Sequence, residues 1–238
     1  MAIPPIPIWT RDLGRLSYAE SFSLQKHLQE LQLAGQLHSG LLFVEHPAVI
    51  TLSRSSNKDD VTAPEKVLAS RGIALEQTDR GGQVTYHGPG QLVVYFLFNL
   101  KQFGEDLHAF LRNMEEAVIL YLEAHQLKPY RSPGQTGVWV GKEKVCAMGI
   151  HVRRWWTTHG LALNITTDLN HFGLIIPCGI RDRGVTSMEK LLSPNPCPTL
   201  EEAKSGLLNQ IQAVFNVECS PLPDADWQAI RAQQTAVT

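Results

Sequence analysis

The sequence predicts an α+β fold in which helices pack against a mixed β-sheet. Two observations favour this class. Apolar runs rich in β-branched and aromatic residues, which are typical of strands, are interspersed with amphipathic stretches of helical period. The two kinds of segment do not follow the regular β-α-β rhythm of a doubly wound fold, so the α+β class is favoured over that alternative.

The first helix is predicted to begin after Ser17, which forms a capping-box pattern with Glu20. Leu24, Leu28 and Leu31 then recur at a spacing that puts them on one face of the helix. The sequence therefore predicts an amphipathic helix that buries a narrow stripe of leucines.

Between this helix and Pro129, the patterns predict three strands and two further helices. The strands are expected at 41–44, 49–52 and 92–100, and the helices at 64–71 and 107–122. The second of these helices keeps its apolar face in register through about four turns. It is the longer amphipathic helix of this half, and Pro129 is predicted to end it.

After Gly137 the chain changes to short strands. They are predicted at 138–140, 144–151 and 159–164, with a hairpin turn at 141–143, and helices are predicted at 187–192 and 200–214. Thr199 and Glu202 form a second capping box. We expect residues 1–238 to be a single domain with a core at about 10–215 and a polar, peripheral tail at about 223–238.

Composition limits the classes of function. The chain has 238 residues, of which 43% are hydrophobic and 18% charged, with a formal charge of −2. A nucleic-acid binder usually carries a basic excess, so that class is disfavoured. No apolar run is long enough to span a membrane, and the prolines near the start do not suit a signal peptide. These features predict a cytoplasmic protein.

The segment from Arg80 to Gln91, R-G-G-Q-V-T-Y-H-G-P-G-Q, holds four glycines and leads directly into a predicted strand. A phosphate loop would instead need a helix N-terminus behind it, and neither common phosphate-loop pattern is present. Glycine lets bare backbone approach a ligand, so the segment is a candidate binding loop. A tight connection between two strands is the alternative.

Cys178 is the strongest candidate nucleophile. It lies between Pro177 and Gly179 at the end of an apolar run, a setting that suits a thiol presented from a loop. A thiol of ordinary pKa, about 8.5, is only slightly ionised at pH 7 and needs a nearby cation or base. The alternative is a buried, inert cysteine, which is the commoner kind.

Lys144 is the second candidate, because it opens the predicted strand K-V-C-A-M-G-I and could turn toward a pocket there. A lysine next to a thiol lowers the pKa of that thiol, and a neutral lysine is a base. Most lysines are solvated, however. Lys142 lies two residues earlier and would point to the same side of an extended strand, so it is an equal candidate by that criterion.

Of the nine histidines, His87 and His159 are best placed to act as bases, whereas His46 before Pro47 is interpreted as part of a turn. No paired-ligand spacing of histidine or cysteine is found, so no metal site is predicted. The R-R-W-W sequence at 153–156 could form a basic, aromatic surface for an acidic protein partner, although a solvated rim is the commoner outcome.

Four motifs together resemble the lipoyl(octanoyl) transferase family, the octanoyl-[acyl carrier protein]:protein N-octanoyltransferases. The motifs are R-G-G-Q-V-T-Y-H-G-P-G-Q at 80–91, K-V-C-A-M-G-I at 144–150, H-G-L-A-L-N at 159–164 and P-C-G-I at 177–180. They occur in the order and spacing of the family over roughly residues 10–215. The first motif is long enough to be specific.

The resemblance implies a fold shared with the biotin and lipoate protein ligases, with a smaller second sheet. It also implies an acyl-thioester intermediate on Cys178 with Lys144 as the acid/base partner. The residues implied to bind the substrate are Arg80, Gly81, Gly82, Gln83, Val84, Thr85, Tyr86, His87, Ala147, Met148, Gly149, Gly160, Leu161 and Ala162. Tyr86, Val145, Met148 and Leu161 are the predicted walls of the acyl channel.

The implied reaction carries an octanoyl group from acyl carrier protein to a lysine of lipoyl domains. The acceptors would be the lipoyl domains of 2-oxoacid dehydrogenase complexes and the glycine cleavage H protein. No separate cofactor is expected, since octanoyl-phosphopantetheine arrives already activated on the carrier protein, and neither nucleic acid nor membrane is an expected partner.

Three alternatives remain open from the sequence. An ATP-dependent lipoate or biotin ligase would share the fold, although the chain has no G-R-G-R-type adenylate segment. A binding module that docks lipoyl domains or carrier protein would form no covalent adduct. A cysteine hydrolase using His87 or His159 would release free octanoate.

Overall fold

The computed structural model describes residues 3–176 and 183–237. Its strands are β1 (Ile6–Arg15), β2 (Gly40–Glu45), β3 (Val49–Leu52), β4 (Ala74–Gln77), β5 (Thr85–His87), β6 (Gln91–Leu97), β7 (Pro129–Ser132), β8 (Gln135–Val140), β9 (Glu143–Arg153), β10 (Trp156–Asn164) and β11 (Val217–Pro221). Its α-helices are α1 (Tyr18–Leu33), α2 (Glu65–Ser70), α3 (Leu107–Ala124), α4 (Met188–Leu192), α5 (Leu200–Phe215) and α6 (Asp224–Val237). Short 3-10 helices span Lys58–Asp60, Leu100–Phe103 and Leu169–Leu174.

The strands form two sheets. Eight strands make a mixed sheet in the order β11-β1-β2-β6-β10-β9-β8-β7, and β4-β3-β5 make a smaller one. In the large sheet β1 runs parallel to both β11 and β2, while the remaining neighbours are antiparallel. This arrangement confirms the predicted α+β class, the mixed sheet and the smaller second sheet.

Alternation along β6 explains how the large sheet is covered on both faces. Val94 and Phe96 point into a core shared with α3 and α5, whereas Val93, Tyr95 and Leu97 belong to a separate core that includes α1. Successive side chains of a strand point to opposite faces, so this uninterrupted apolar strand fills both cores. The leucine stripe predicted on the first helix contributes Leu24 and Leu28 to the second core.

The predicted helix starts are present. The Ser17 hydroxyl accepts a hydrogen bond from the Glu20 N–H, and Thr199 and Glu202 form a reciprocal capping box before α5. Ser187 caps α4. No helix in the described part of the chain combines the length and the apolar character needed to cross a lipid bilayer.

Several elements were not predicted from the sequence: β1 and β11 at one border of the large sheet, β7 at the other, β4 and β5 of the small sheet, and the last helix. β11 pairs with β1 across more than 200 residues of sequence, from Ile6 with Val217 to Thr10 with Pro221. In the segment expected to be a polar tail, α6 packs against α1, and its Ile230 is only 8% exposed.

Candidate active site

A cavity of about 540 Å³ lies over the middle of the large sheet. The strand register places Ala162 between Val93 and Ala147, and Gly160 between Tyr95 and Gly149. All six of these residues line the cavity. Glycine and alanine on β9 and β10 leave space above the sheet that larger side chains would fill, so the small residues of two predicted motifs create the cavity.

The glycine-rich segment closes one side of this cavity. The Gly81 N–H donates a hydrogen bond to the Ile150 carbonyl at 3.0 Å, beyond the part of β9 that pairs with β8. A Cβ on Gly149 would lie 2.4 Å from the Gly81 carbonyl oxygen. Close packing of two backbones therefore requires glycine here, as in the tight connection considered above. The same segment lines the cavity, and its role in binding stays a prediction.

Arg80 holds this segment to the small sheet. One terminal nitrogen of its guanidinium, Nη2, donates to both the carbonyl and the hydroxyl oxygen of Thr51 on β3, at 3.1 and 2.9 Å. The residue also lines the cavity. The two sheets therefore meet at the binding loop.

Lys144 lies at the other end of the cavity, at the start of β9. Its ammonium nitrogen donates to the Thr136 carbonyl at 3.1 Å and lies 4.9 Å from the centre of the Trp139 ring, a cation–π distance. Trp139 on β8 is the cross-strand partner of Lys144. The half-buried side chain is thus held beside the cavity, while Lys142 is exposed in the hairpin turn.

The backbone of Lys144 also binds the segment that follows the proposed nucleophile in sequence. Its N–H donates to the Gly184 carbonyl at 3.0 Å, and its carbonyl accepts from the Thr186 N–H at 2.9 Å. Arg183, which comes just before this contact, stacks on the Trp139 ring at 5.2 Å. Cys178 itself lies outside the described residues, so its distance from Lys144 stays untested.

The cysteines in the described part of the chain do not suit nucleophilic chemistry. Burial raises the pKa of the thiols of Cys146 and Cys197, and it raises the pKa of the Cys219 thiol to about 12. Cys146 is fully buried in the core that includes α3 and α5, although it lies two residues from Lys144. A raised thiol pKa leaves little thiolate at neutral pH.

His87 and His159 are both buried at the cavity, and burial lowers the pKa of each imidazole. The Nδ1–H of His87 donates to the Gln91 side-chain oxygen at 2.7 Å, and Gln91 in turn donates to the Asn164 side chain. Those bonds fix the neutral tautomer of His87 with Nε2 as the acceptor.

Asp79, the partner of His159, was not predicted from the sequence. The His159 Nε2 lies 2.8 Å from the Asp79 carboxylate, which also pairs with Lys26. Burial opposes ionisation of Asp79, but hydrogen bonds from His159 and Lys26 outweigh it and hold the pKa of the carboxyl well below its usual value. Because the partners are 80 positions apart in sequence, their spacing gave no signal. Within 3–176 and 183–237, no group of three or more metal-ligating side chains is found.

A third buried histidine, His46, lies behind these residues. Its ring donates from Nδ1 to the Leu16 carbonyl and accepts at Nε2 from the Tyr95 hydroxyl, both at 2.7 Å. Burial lowers the pKa of His46 to about 4. The predicted turn at 46–47 therefore also supports the cavity from behind, through Tyr95.

The structure brings almost all the predicted binding residues together. Those that line the cavity are Arg80, Gly81, Gly82, Gln83, Val84, Thr85, His87, Lys144, Ala147, Met148, Gly149, Gly160, Leu161 and Ala162. Tyr86 and Val145 are not among its lining residues. Tyr86 points to the opposite face of β5 from Thr85 and His87, and Val145 lies at the register shift in the pairing of β8 with β9. Tyr86 packs on Phe172 with its hydroxyl bonded to His171, and Val145 belongs to the core that includes α3 and α5.

Two of the four predicted channel walls are therefore placed elsewhere. The other two, Met148 and Leu161, line the cavity but also pack in the core that includes α3 and α5. The cavity instead receives Tyr18 from α1 and Trp139 from β8, which the sequence analysis did not select. An aromatic residue on a predicted strand or helix is usually interpreted as core, so no local pattern marked these two.

Sequence comparison connects the chain with proteins of known activity. Residues 17–212 match the family model of the lipoyl protein ligase A/B catalytic domain. An octanoyltransferase of Chloroflexus aurantiacus is 45% identical over 209 residues, which cover 87% of this chain and 93% of that protein. An octanoyltransferase of Acidobacterium capsulatum is 42% identical over 85% of this chain and 88% of its own.

Solved structures share the fold at low identity. Lipoate-protein ligase A bound with ATP superposes with a TM-score of 0.79 at 15% identity, covering 97% of this chain and 95% of its own. The bi-partite lipoate protein ligase of Thermoplasma acidophilum, studied with its E2 lipoyl domain, gives 0.73 at 14%, covering 97% and 92%. Biotin protein ligase from Aquifex aeolicus gives 0.53 at 17%, covering 88% and 70%.

Proposed function

The chain belongs to the lipoyl protein ligase A/B catalytic domain family and is an acyltransferase, and we propose that it carries an octanoyl group from octanoyl-acyl carrier protein to a specific lysine of lipoyl domains. The observation that carries the proposal is the place of Lys144. Its ammonium borders the cavity, and its backbone binds the segment that follows Cys178 in sequence.

In the first step, the Cys178 thiolate attacks the carbonyl carbon of the octanoyl thioester. The bond between that carbon and the pantetheine sulfur breaks, and the leaving sulfur takes a proton from the Lys144 ammonium. One thioester replaces another, so the exchange is close to thermoneutral and no ATP is needed. Lys144 is neutral at the end of this step.

In the second step, the amine of the acceptor lysine attacks the enzyme thioester. At an ordinary pKa of about 10.4, only about 1 in 2,500 such amines is neutral at pH 7. The new C–N bond forms, the Cys178 sulfur leaves as a thiolate, and Lys144 accepts the proton released by the amine. A base placed at this point contributes typically 10²–10⁴-fold to the rate.

The cavity suits a largely apolar cargo. Its volume of about 540 Å³ falls within the range of small-molecule sites, and apolar or small residues form its floor. We propose that the acyl chain lies along Ala147, Gly149, Gly160 and Ala162, with the reacting carbonyl toward Lys144. The proposed acceptors are the lipoyl domains of 2-oxoacid dehydrogenase complexes and the glycine cleavage H protein, encountered in the cytoplasm.

Intact-mass analysis after mixing with octanoyl-carrier protein tests the proposal. The wild type is expected to gain one octanoyl group, and Cys178→Ala is expected to gain none. Cys197→Ala is the matched control and should be acylated like the wild type. Acylation and turnover by Cys178→Ala would refute the thioester mechanism, and product formation from free octanoate with ATP would favour a ligase.

Gly149→Ala tests the loop that closes the cavity. The added Cβ would lie 2.4 Å from the Gly81 carbonyl oxygen, so the binding loop must move away from β9. We expect KM for octanoyl-carrier protein to rise about tenfold or more, since small misplacements at a site have effects of that size. Steady-state kinetics measures the change.

Gly173→Ala is the matched control, because nothing lies within 4 Å of its added Cβ and its φ is not positive. It should leave KM unchanged. An unchanged KM in Gly149→Ala would show that the contact between β9 and the loop does not shape the binding site.

A further inference from the structure

The peptide unit that joins Thr136 to Gly137 is held from both sides. Its carbonyl, from Thr136, accepts the hydrogen bond of the Lys144 ammonium at 3.1 Å. Its N–H, from Gly137, donates to the Glu115 carboxylate at 2.9 Å. A single rigid plane therefore lies between the carboxylate on α3 and the amine at the cavity.

Glu115 is built into this position. Its side chain is 1% exposed, and its two carboxylate oxygens contact different partners. Oε1 receives the Gly137 N–H, while Oε2 lies 2.5 Å from Arg112 and 3.2 Å from Arg131, whose side chains reach in from the surface. Burying a charge is costly unless it is paired, so these two arginines compensate for burial of the carboxylate.

Close packing of β8 on β9 requires the glycine at 137. Its φ is +122°, and a Cβ there would lie 2.5 Å from the Cys146 carbonyl oxygen and 3.4 Å from a methylene carbon of Lys144. The peptide before it can therefore pack directly against the lysine side chain. No other residue type fits at 137 without moving β8 away from the Cys146 carbonyl on β9, whereas the Lys144 carbon would be at an ordinary contact distance.

We propose that Glu115 is a positioning residue that holds the Lys144 amine in place through the Thr136–Gly137 peptide. The carboxylate fixes the plane of the peptide so that its carbonyl faces the amine. A charged acceptor on the N–H also polarises the peptide and strengthens the carbonyl as an acceptor. The kinetic part of this proposal rests on the proposed role of Lys144, whereas the contact itself does not.

Three variants separate this role from simple support of the fold. Glu115→Gln keeps an oxygen that can accept from the Gly137 N–H, and Glu115→Met removes it. Glu116→Gln is the control, because it removes a neighbouring ion pair, with Arg131, that makes no contact with Gly137. We expect Glu115→Met to lower kcat about tenfold to a hundredfold with KM nearly unchanged, because it misplaces an acid/base group. Glu115→Gln should recover most of that loss, and Glu116→Gln should resemble the wild type.

A spectroscopic measurement follows the contact without depending on activity. In protein labelled with ¹⁵N-lysine and ¹³C-threonine, the Lys144 Nζ should show a coupling to the Thr136 carbonyl carbon across the hydrogen bond. The signal is assigned by its loss in Lys144→Met. It should persist in Glu115→Gln and Glu116→Gln and disappear in Glu115→Met.

A double-variant cycle completes the test. Adding Glu115→Met to Lys144→Met should cause no further loss of residual activity, because two groups that act as a unit are not additive. The proposal would be overturned if Glu115→Met lowered activity equally in the wild type and in Lys144→Met. An intact coupling in Glu115→Met would also overturn it. If Glu115→Met does not fold, folded Glu115→Gln decides the test. The proposal is overturned if this variant loses the coupling but does not show the decrease in kcat that misplacement of Lys144 should cause. If the wild type formed no Cys178 adduct, the proposed function would be refuted but the contact would not. The coupling would still show whether Glu115 holds the Lys144 amine at the Thr136 carbonyl.

Discussion

Replacement of Lys144 by methionine is expected to lower kcat for octanoyl transfer by about 10²–10⁴-fold, the usual contribution of a positioned acid or base. Methionine keeps most of the length of the side chain, so its packing beside Trp139 is largely retained. Both half-reactions lose the group that moves the proton. Rapid-quench measurement of the Cys178 adduct and of its transfer to a lipoyl domain follows the two steps separately.

Lys142→Met is the matched control, because Lys142 lies two residues away in the same hairpin and is exposed. Its activity is expected to stay within about twofold of the wild type, as is usual for surface substitutions. Thermal unfolding of both variants should show an intact fold. If Lys144→Met kept more than a tenth of the wild-type kcat, the lysine would have no acid/base role.

Acidification is expected to weaken the fold between pH 6.5 and 4 through the buried histidines. Above pH 6.5 the imidazole of His46 is neutral whether the chain is folded or unfolded. Below 6.5 the unfolded chain takes up a proton that folded His46, with its pKa of about 4, does not accept. The free energy of unfolding should therefore fall by about 3 kcal/mol across this window from His46 alone.

His87 and His159 act in the same direction, because burial lowers the pKa of each imidazole. Asp79 has a carboxyl of lowered pKa, so its ionised form stabilises the fold. That contribution is lost only as the pH falls below 3.8, the ordinary pKa of the carboxyl. The three histidines therefore dominate the upper part of the acid range. Denaturant titrations at several pH values between 7.5 and 4 measure the slope.

His46→Gln isolates the contribution of one ring. The glutamine amide can donate to Leu16 and accept from Tyr95, yet it does not titrate in this range. We expect a flatter pH dependence of the unfolding free energy for this variant, by up to about 3 kcal/mol between pH 6.5 and 4. His108→Gln, at an exposed position of α3, should keep the wild-type slope, and a wild-type slope in His46→Gln would contradict the assignment.

The elements with strong local signals were predicted from sequence. The capping pairs at Ser17 and Thr199 marked two helix starts, and the leucine stripe of α1 gave its buried face. The outer strands β1 and β11 were missed because each is stabilised by a partner far away in sequence. Pairing of this kind leaves no periodic signal within either segment.

The site was predictable where a motif supplied it and not where packing did. The glycine-rich segment, Lys144 and the small residues of β9 and β10 were selected from motifs, and they line one cavity. Asp79 and Glu115 were not selected, because a carboxylate acquires its role from a partner that only the fold brings near. Tyr86 was misplaced because a motif does not say which face of a strand each residue occupies.

The pairing of β1 with β11 has a consequence for synthesis on the ribosome. The first strand of the large sheet can join β2 early, but its outer neighbour does not exist until residues 217–221 have been translated. Until then a row of backbone donors and acceptors is open at that border, and such open borders are sites of association between nascent chains. Completion of the sheet therefore requires residues 217–221 to have left the exit tunnel, and this border stays open until they have.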